Sequence, residues 1–323
     1  MYALVYIYSL FLLCFSAVTF ATTFDIQTLN TTFKFLGDAH ILNSTFRLTS
    51  DLPVPNSGAG RVLYNKPITF RRPGNQIPTS FATHFSFSVL DLNLNSIGGG
   101  FAFVISPDDR SIGAAGGFLG IPAGSVAVEF DTVKDIEFND VNGNHVGLSI
   151  NSMVSLHAAD LDSVNVSLKS GELIHSWVEY SGSNHHLKVF VSYAKTKPVS
   201  PVLLVTIDLY QYVNESMYVG FSGSTQGSTE VHWVDFWSFT SFFDDPNRKS
   251  VDLNTTLSPS PPIATIKYPK LNKLMKGLIG LLVGIIVLTG GGISIYLKYQ
   301  YGGGENKYFN ICNCCSNVNN VAV

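Results

Sequence analysis

Short stretches of alternating apolar and polar residues recur between about residues 23 and 243. Their apolar members are mostly β-branched or aromatic, and clusters of Gly, Asn, Ser and Pro separate one stretch from the next. Examples lie at 81–87, 101–105, 126–130, 186–191 and 217–221. Alternation with a period of two turns one face of each stretch toward a core, and this region shows no convincing helical period. The pattern therefore predicts an all-β domain, either a sandwich or a barrel of many short strands.

Two apolar segments without charged residues lie on either side of this region. Residues 1–21 form a continuous apolar run that ends in small residues, which is typical of a secretory signal peptide. Residues 277–297 form a second run that is long enough to cross a bilayer core of about 30 Å. We predict a signal peptide at 1–21, a Pro- and Ser-rich stalk at 244–276, one transmembrane helix at 277–297 and a short cytoplasmic tail at 298–323.

Five Asn-x-Ser/Thr sequons all precede the second apolar segment, at Asn30, Asn43, Asn165, Asn214 and Asn254. Because N-glycosylation marks lumenal and extracellular segments, the sequons predict an extracellular domain. Four lysines precede the apolar segment and two follow it, which taken alone favours the opposite orientation. The signal peptide and the sequons outweigh the lysines, so we predict a single-pass type I protein of the plasma membrane.

The positions of the cysteines and the net charge limit the classes of protein to which the chain can belong. Cys14 lies in the predicted signal peptide, and Cys312, Cys314 and Cys315 lie near the end of the chain. The predicted domain therefore has no disulfide, and its size allows a hydrophobic core to stabilise it instead. The three late cysteines are candidates for S-acylation beside the membrane, with metal binding as the alternative. The net charge of −3, with scattered Lys and Arg, predicts no nucleic-acid partner.

The densest group of metal-ligand residue types lies near the middle of the chain. Glu129 and Asp131 are two residues apart on a predicted strand, so their side chains share a face. Asp135, Asp140 and His145 follow in a loop that can fold back over them. Each pair of carboxylates ~4 Å apart would repel by on the order of 4 kcal/mol at an effective dielectric constant of 20. Two divalent cations would balance four such charges, with calcium suited to oxygen ligands and manganese suited to a site with an imidazole.

Six short motifs, taken together in their order and spacing, resemble legume-type (L-type) lectins and especially the ectodomains of plant L-type lectin receptor kinases. The motifs are GFAF at 100–103, GGFLG at 116–120, VEFDT at 128–132, HVG at 145–147, GFSGST at 220–225 and VDFWSF at 234–239. The resemblance implies a legume-lectin (concanavalin A-like) jelly-roll β-sandwich for residues 22–243. It also implies a non-enzymatic, carbohydrate-binding protein of a plant.

The resemblance also implies the metal ligands. Those for the transition metal are Glu129, Asp131, Asp140 and His145, with Ser155 holding a metal-bound water. Those for calcium are Asp131, the carbonyl of Val133, Asp135 and Asp140. The family usually has Asn at position 135, but aspartate still offers calcium an oxygen, so the metal site is expected to survive.

The sugar site that the resemblance implies comprises Gly99, Gly117, Asp135, Ser224 and Thr225. Three features of the family are changed in it. Gly99 replaces an aspartate that accepts hydrogen bonds, Val133 replaces the aromatic platform, and Asp135 replaces an amide donor. Each lost hydrogen bond removes about 0.5–1.5 kcal/mol. We therefore predict a lectin fold whose monosaccharide site is degenerate.

Two other interpretations fit parts of the acidic motif. A glycoside hydrolase on a similar sandwich also presents alternating carboxylates, but the next alternating position is Val133 and His145 lies at the metal-ligand offset. A solvated turn would explain an Asp- and Asn-rich loop, but not five residues at the family's spacing. We therefore predict that the chain is not an enzyme.

The predicted function is that of a membrane-anchored, kinase-less receptor or co-receptor for a glycan or another extracellular ligand. Gly302–Gly304 lack the spacing of a kinase glycine-rich loop, so signalling would require a partner kinase. The alternatives are recognition of a small apolar molecule or a nucleotide, and adhesion between cell wall and membrane. A homodimer is a further expectation, and the apolar helix would contact membrane lipid.

Overall fold

Sixteen strands form the framework of the described chain. The computed structural model describes residues 22–25, 32–93 and 98–244. The strands are β1 Thr22–Asp25, β2 Phe33–Gly37, β3 His40–Leu42, β4 Thr45–Arg47, β5 Ala59–Tyr64, β6 Ile68–Thr69, β7 Ser80–Asp91, β8 Gly99–Ser106, β9 Val126–Asp131, β10 His145–Ile150, β11 His157–Asp160, β12 Ile174–Ser181, β13 His186–Ser192, β14 Leu203–Thr206, β15 Ser216–Thr225 and β16 Glu230–Phe242. Short 3-10 turns lie in several of the connections.

The strands form two antiparallel eight-stranded sheets. Sheet A has the order β14-β13-β12-β7-β16-β4-β3, with β1 also paired to β16. Sheet B has the order β11-β10-β9-β8-β15-β5-β2, with β6 also paired to β15. A bulge between Val234 and Phe236 shifts the register of the long β16–β7 pair. Many neighbours are distant in sequence, so the sheets depend on long-range pairing.

Aromatic side chains from both sheets fill the space between them. Phe85 on β7 packs against Phe221 on β15, with ring centroids 5.0 Å apart. Phe101 on β8 stacks on Phe130 of β9 at 5.0 Å. Each of these rings is at most 1 % exposed. Because alternate residues of a strand point to opposite faces, the period-two pattern produces this core directly.

The all-β sandwich predicted from the sequence is confirmed. Within the described ranges, no helix is long and apolar enough to span a membrane. The predicted signal peptide at 1–21, most of the stalk, the apolar segment at 277–297 and the tail at 298–323 lie outside the described residues. Those assignments stay predictions.

Candidate metal and ligand site

Strands β9 and β10 bring three of the predicted ligands together at one end of sheet B. In their antiparallel register, His145 lies opposite Asp131 and Gly147 lies opposite Glu129. Cross-strand partners share a face, so the imidazole and both carboxylates lie on the same side of the sheet. A Cβ atom at Gly147 would collide with the Glu129 carboxylate and the Ser155 hydroxyl. Glycine in the HVG motif therefore leaves room for the acidic cluster.

A backbone contact favours one tautomer of the His145 imidazole. Its Nδ1 lies 2.7 Å from the carbonyl oxygen of Asn142. A carbonyl oxygen only accepts, so Nδ1 carries the proton and Nε2 of the neutral ring has a lone pair. Nε2 is buried, has no hydrogen-bond partner among the described residues, and lies 3.9 Å from oxygens of both Glu129 and Asp140. The orientation is that of a histidine prepared to bind a metal ion.

The loop after β9 folds back and completes the cluster. A 3-10 turn at Ile136–Phe138 ends at Asn139 in the left-handed conformation, with φ of 63°. The backbone N–H of Asp135 donates to Oδ2 of Asp140 at 2.7 Å. Ligand atoms of Asp131, Asp140 and His145 consequently lie within 4.8 Å of one another.

Burial makes the ionised form of these carboxylates unfavourable when no cation balances them. Desolvation raises the pKa of Asp131 to about 9, and the nearby acids add to the effect. Desolvation likewise raises the pKa of Glu129 and of Asp140. A bound divalent cation would reverse this balance by favouring the charged forms.

The donor set fits two metal ions of different preference. The imidazole lone pair together with carboxylate oxygens suits a transition metal. Asp135 Oδ2, which is buried and has no hydrogen-bond partner within the described ranges, suits calcium as an oxygen ligand. The Val133 N–H donates to Oδ1 of Asp131 at 2.7 Å and closes a turn. The carbonyl of Val133, a predicted calcium ligand, belongs to the same turn. The assignment of individual ligands stays a prediction.

Two serines hold the Glu129 carboxylate. Ser149 donates to its Oε2 at 2.7 Å, and Ser155 donates to its Oε1. Ser155 was predicted to act through a metal-bound water, and the hydroxyl lies directly against a predicted ligand. Ser149 was not singled out from the sequence, although its position on the same face of β10 as Gly147 is a signal that period-two counting provides.

Two of the predicted sugar-binding residues, Ser224 and Thr225, use their hydroxyls for contacts within the domain. The Ser224 hydroxyl donates to the carbonyl of Gly116 at 2.6 Å, and the Thr225 hydroxyl donates to Asn56 at 2.9 Å. Both residues are fully buried. Their side chains therefore stabilise neighbouring loops, and only their backbone remains to contact a ligand.

Gly99 lies where a side chain cannot be accommodated. It pairs with Thr225 across β8 and β15, and a Cβ atom there would collide with the carbonyl oxygen of Ser224 and lie 3.0 Å from Thr225 Cα. Val133, at the position of the family's aromatic platform, is only 9 % exposed. The local packing therefore agrees with the two differences from the family that the sequence indicates, Gly99 in place of an aspartate and Val133 in place of an aromatic residue.

A buried network connected to the turn after Asp131 was not found from the sequence. Glu230 is fully buried and accepts hydrogen bonds from Thr132 at 2.7 Å and from His232 at 3.1 Å, with Lys169 at 3.1 Å. Thr132 in turn accepts from the N–H of Gly99 at 3.0 Å. Burial alone would raise the pKa of Glu230, but the His232 hydrogen bond and the nearby cationic groups lower it. Thr132 lies 98 residues from Glu230 in the sequence, so the sequence around Glu230 gives no local signal of this contact.

Three of the five sequons fall within the described residues, and all three asparagines are exposed. Asn43 and Asn165 adopt left-handed conformations in turns, with φ of 51° and 56°. Asn214 precedes β15. Asn30 and Asn254 lie outside the described ranges, and glycosylation of all five stays a prediction.

Comparison with known protein families is consistent with this geometry. The sequence profile described as "Legume lectin domain" matches residues 19–255. The chain is 54 % identical over 231 residues to the L-type lectin-domain containing receptor kinase VIII.2 of Arabidopsis thaliana, covering 69 % of this chain and 32 % of that protein. It is 51 % identical over 270 residues to kinase VIII.1 of the same plant, covering 81 % and 37 %. The chain thus spans about a third of the length of these curated relatives.

Solved structures show the same fold. Winged bean acidic lectin complexed with methyl-alpha-D-galactose is 25 % identical with a TM-score of 0.62, over 70 % of this chain and all of that one. Peanut lectin solved with a nine-residue peptide is 30 % identical with a TM-score of 0.59, again over 70 % of this chain and all of that one.

Proposed function

The chain belongs to the legume lectin domain family, and on that basis we propose that its β-sandwich is an extracellular glycan-binding domain with two bound divalent cations. The observation that carries this proposal is the buried His145 Nε2, whose lone pair is directed among three carboxylates. No hydrogen bond within the described ranges accounts for that atom. A transition metal beside a calcium ion would neutralise the cluster.

The chain's own residues would use these ions to stiffen the ligand site. Asp135 and Asp140 lie on either side of the 3-10 turn at Ile136–Phe138, in the loop between β9 and β10. Ions held by both residues would fix this loop, and with it the surface beside Gly117. When bound, the ions would supply charge neutralisation and coordination bonds.

We propose that the simple-sugar site is degenerate. The acceptor expected at Gly99 is missing, Val133 is buried, and the hydroxyls of Ser224 and Thr225 are engaged elsewhere. Monosaccharide affinity is therefore expected to be very weak.

The proposal extends to the cell surface. The apolar segment at 277–297 supports a single membrane anchor, and the curated relatives that match are receptor kinases. We propose a receptor or co-receptor role with a partner kinase, with a glycan or another extracellular ligand as its signal.

The decisive experiment combines metal analysis with a glycan array. The purified full chain, never exposed to acid or chelator, is expected to contain calcium and a transition metal, and array binding is expected to disappear on chelation. A metal-free protein would overturn the metal site. Wall binding that resists chelation would instead favour an adhesion role over a lectin role.

A further inference from the structure

A cavity opens at the side of the sandwich, where the two sheets approach each other. β11 ends the strand order of sheet B and β14 ends that of sheet A, so one edge of each has no neighbouring strand in the part of the chain that the structure describes. Cα atoms of the two strands come within 8 Å of each other. The cavity beside them has a volume of about 280 Å³. Ligand pockets usually measure about 300–1,000 Å³, so only a small ligand would fit.

The cavity has apolar walls. Leu156 lies just before β11, and Val205 and Ile207 lie on and just after β14. Tyr212, farther along the loop after β14, is 42 % exposed and adds an aromatic side chain. None of these residues belongs to the predicted metal or sugar site. A ligand that fills the cavity would need an apolar body, and an aromatic ring would suit Tyr212.

One carboxylate lies among these apolar walls. Asp208 lines the cavity, and its side chain is 33 % exposed. Its Oδ1 accepts a hydrogen bond from the N–H of Tyr210 at 3.0 Å, and its Oδ2 lies 3.4 Å from the amide nitrogen of Gln211. Within the described ranges, only Nδ1 of His185, at 3.4 Å, lies within ion-pair distance of the carboxylate. No lysine or arginine of those ranges neutralises Asp208, so it can pair with a cationic ligand.

The core holds this carboxylate in place. Tyr180 is fully buried, and its hydroxyl donates to the carbonyl of Ile207 at 3.2 Å and accepts from the N–H of Leu209 at 3.1 Å. These two hydrogen bonds lie on either side of Asp208 and fix the backbone around it. Burial raises the pKa of Tyr180 to about 12, and the nearby Asp208 and Asp244 carboxylates add to the increase. A negative charge fixed in this way favours a bound cation without further ordering.

We propose that this cavity binds a small arylalkylamine, a ligand with an aromatic ring and a protonated amino group. The ammonium group would donate to Asp208, and the ring would lie against Tyr212 and the apolar walls. A neutral alcohol of the same shape lacks the charge, and a carboxylate in its place would be repelled by Asp208. The residues of this cavity are distinct from those of the proposed glycan site, so the amine would be a second ligand of the domain.

The test compares phenethylamine, phenethyl alcohol and hydrocinnamate as ligands of the full chain loaded with calcium and manganese. Isothermal titration calorimetry at about pH 8 gives the dissociation constants, because an ordinary histidine is neutral there and adds no competing positive charge. The amine is expected to bind about fivefold more tightly than the alcohol, since a partly exposed ion pair contributes up to about 1 kcal/mol. Hydrocinnamate is expected to bind most weakly.

Asp208→Asn removes the charge but keeps an oxygen that can accept from the N–H of Tyr210, so the turn is expected to be retained. In this variant the affinities for amine and alcohol are expected to agree within about twofold. Asp160→Asn is the matched control, because Asp160 caps another 3-10 turn in the same way and does not line the cavity. It is expected to keep the preference for the amine. Tyr212→Ala is expected to weaken amine binding by about two- to fivefold, and Tyr212→Phe to retain it.

Loss of the amine preference in Asp208→Asn, together with its retention in Asp160→Asn, supports the site. An unchanged preference in Asp208→Asn overturns it, and so does an equal loss in both aspartate variants, which would indicate a general effect of surface charge. A chain that binds none of the three compounds at millimolar concentration also overturns it. If Asp208→Asn does not fold, equal amine binding by Tyr212→Ala and Tyr212→Phe has the same meaning. The glycan array and the metal analysis test the proposed function independently of these results.

Discussion

Restoring the family's aspartate at Gly99 is expected to destabilise the domain without restoring monosaccharide binding. Gly99 pairs with Thr225 where β8 meets β15. A Cβ atom there would collide with the Ser224 carbonyl oxygen and lie 3.1 Å from the Ser224 carbonyl carbon. All of these are backbone atoms of a central strand pair, so they cannot move aside as a flexible side chain would.

The size of the effect follows from this contact. Inserting atoms into a packed region costs about 1–3 kcal/mol. For a domain of 150–250 residues, each kcal/mol lowers the melting temperature by roughly 2–4 °C. We therefore expect Gly99→Asp to melt about 2–12 °C below the natural chain. The N–H of Gly99, which donates to Thr132, would be strained by the same movement.

Differential scanning calorimetry of the full chain with calcium and manganese measures this change, and isothermal titration with methyl galactoside and methyl mannoside tests recovery of binding. Gly74→Asp is the control, since a Cβ atom at Gly74 would meet nothing within 4 Å. Its left-handed φ of 78° limits the expected loss to about 1 kcal/mol. An unchanged melting temperature in Gly99→Asp, together with micromolar sugar binding, would refute the steric argument.

Three further outcomes are expected. Asp140→Ala is expected to lower the melting temperature and remove its response to added calcium, because a shared ligand is lost; an unchanged melting curve counts against the metal site. In chelator, the free energy of unfolding is expected to fall as pH rises from about 4 to about 9, by at most about 1.4 kcal/mol per pH unit for Asp131. Burial raises the pKa of Asp131 from 3.8 to about 9 in the folded state, so the unfolded chain releases this proton at a lower pH than the folded chain does. Asp131→Asn should flatten that pH dependence of thermal unfolding, and an equal slope in both chains would contradict the assignment. Glu230→Ala is expected to cost about 3 kcal/mol in denaturant unfolding, because it breaks a buried charged network, whereas the exposed control Glu172→Ala should be near neutral.

The sequence by itself determined the architecture and the chemical type of the site. Period-two alternation is a local property, since it depends only on neighbouring residues of one strand. It predicted an all-β sandwich or barrel and the shared face of Glu129 and Asp131, and the family resemblance selected the sandwich. The family motifs added the expected metals and the changed sugar positions. These conclusions needed no knowledge of which strands pair.

Tertiary structure alone decided how the site is finished, because its contacts join segments far apart in the chain. The β8–β15 pairing closes the space at Gly99, and loop packing directs the hydroxyls of Ser224 and Thr225 to Gly116 and Asn56. Glu230 likewise meets Thr132 from a distant segment, and Phe118 packs against Phe138 from a different loop. The type of a residue determines which groups its side chain can bind, whereas long-range strand register and loop packing determine which groups lie close enough to be bound.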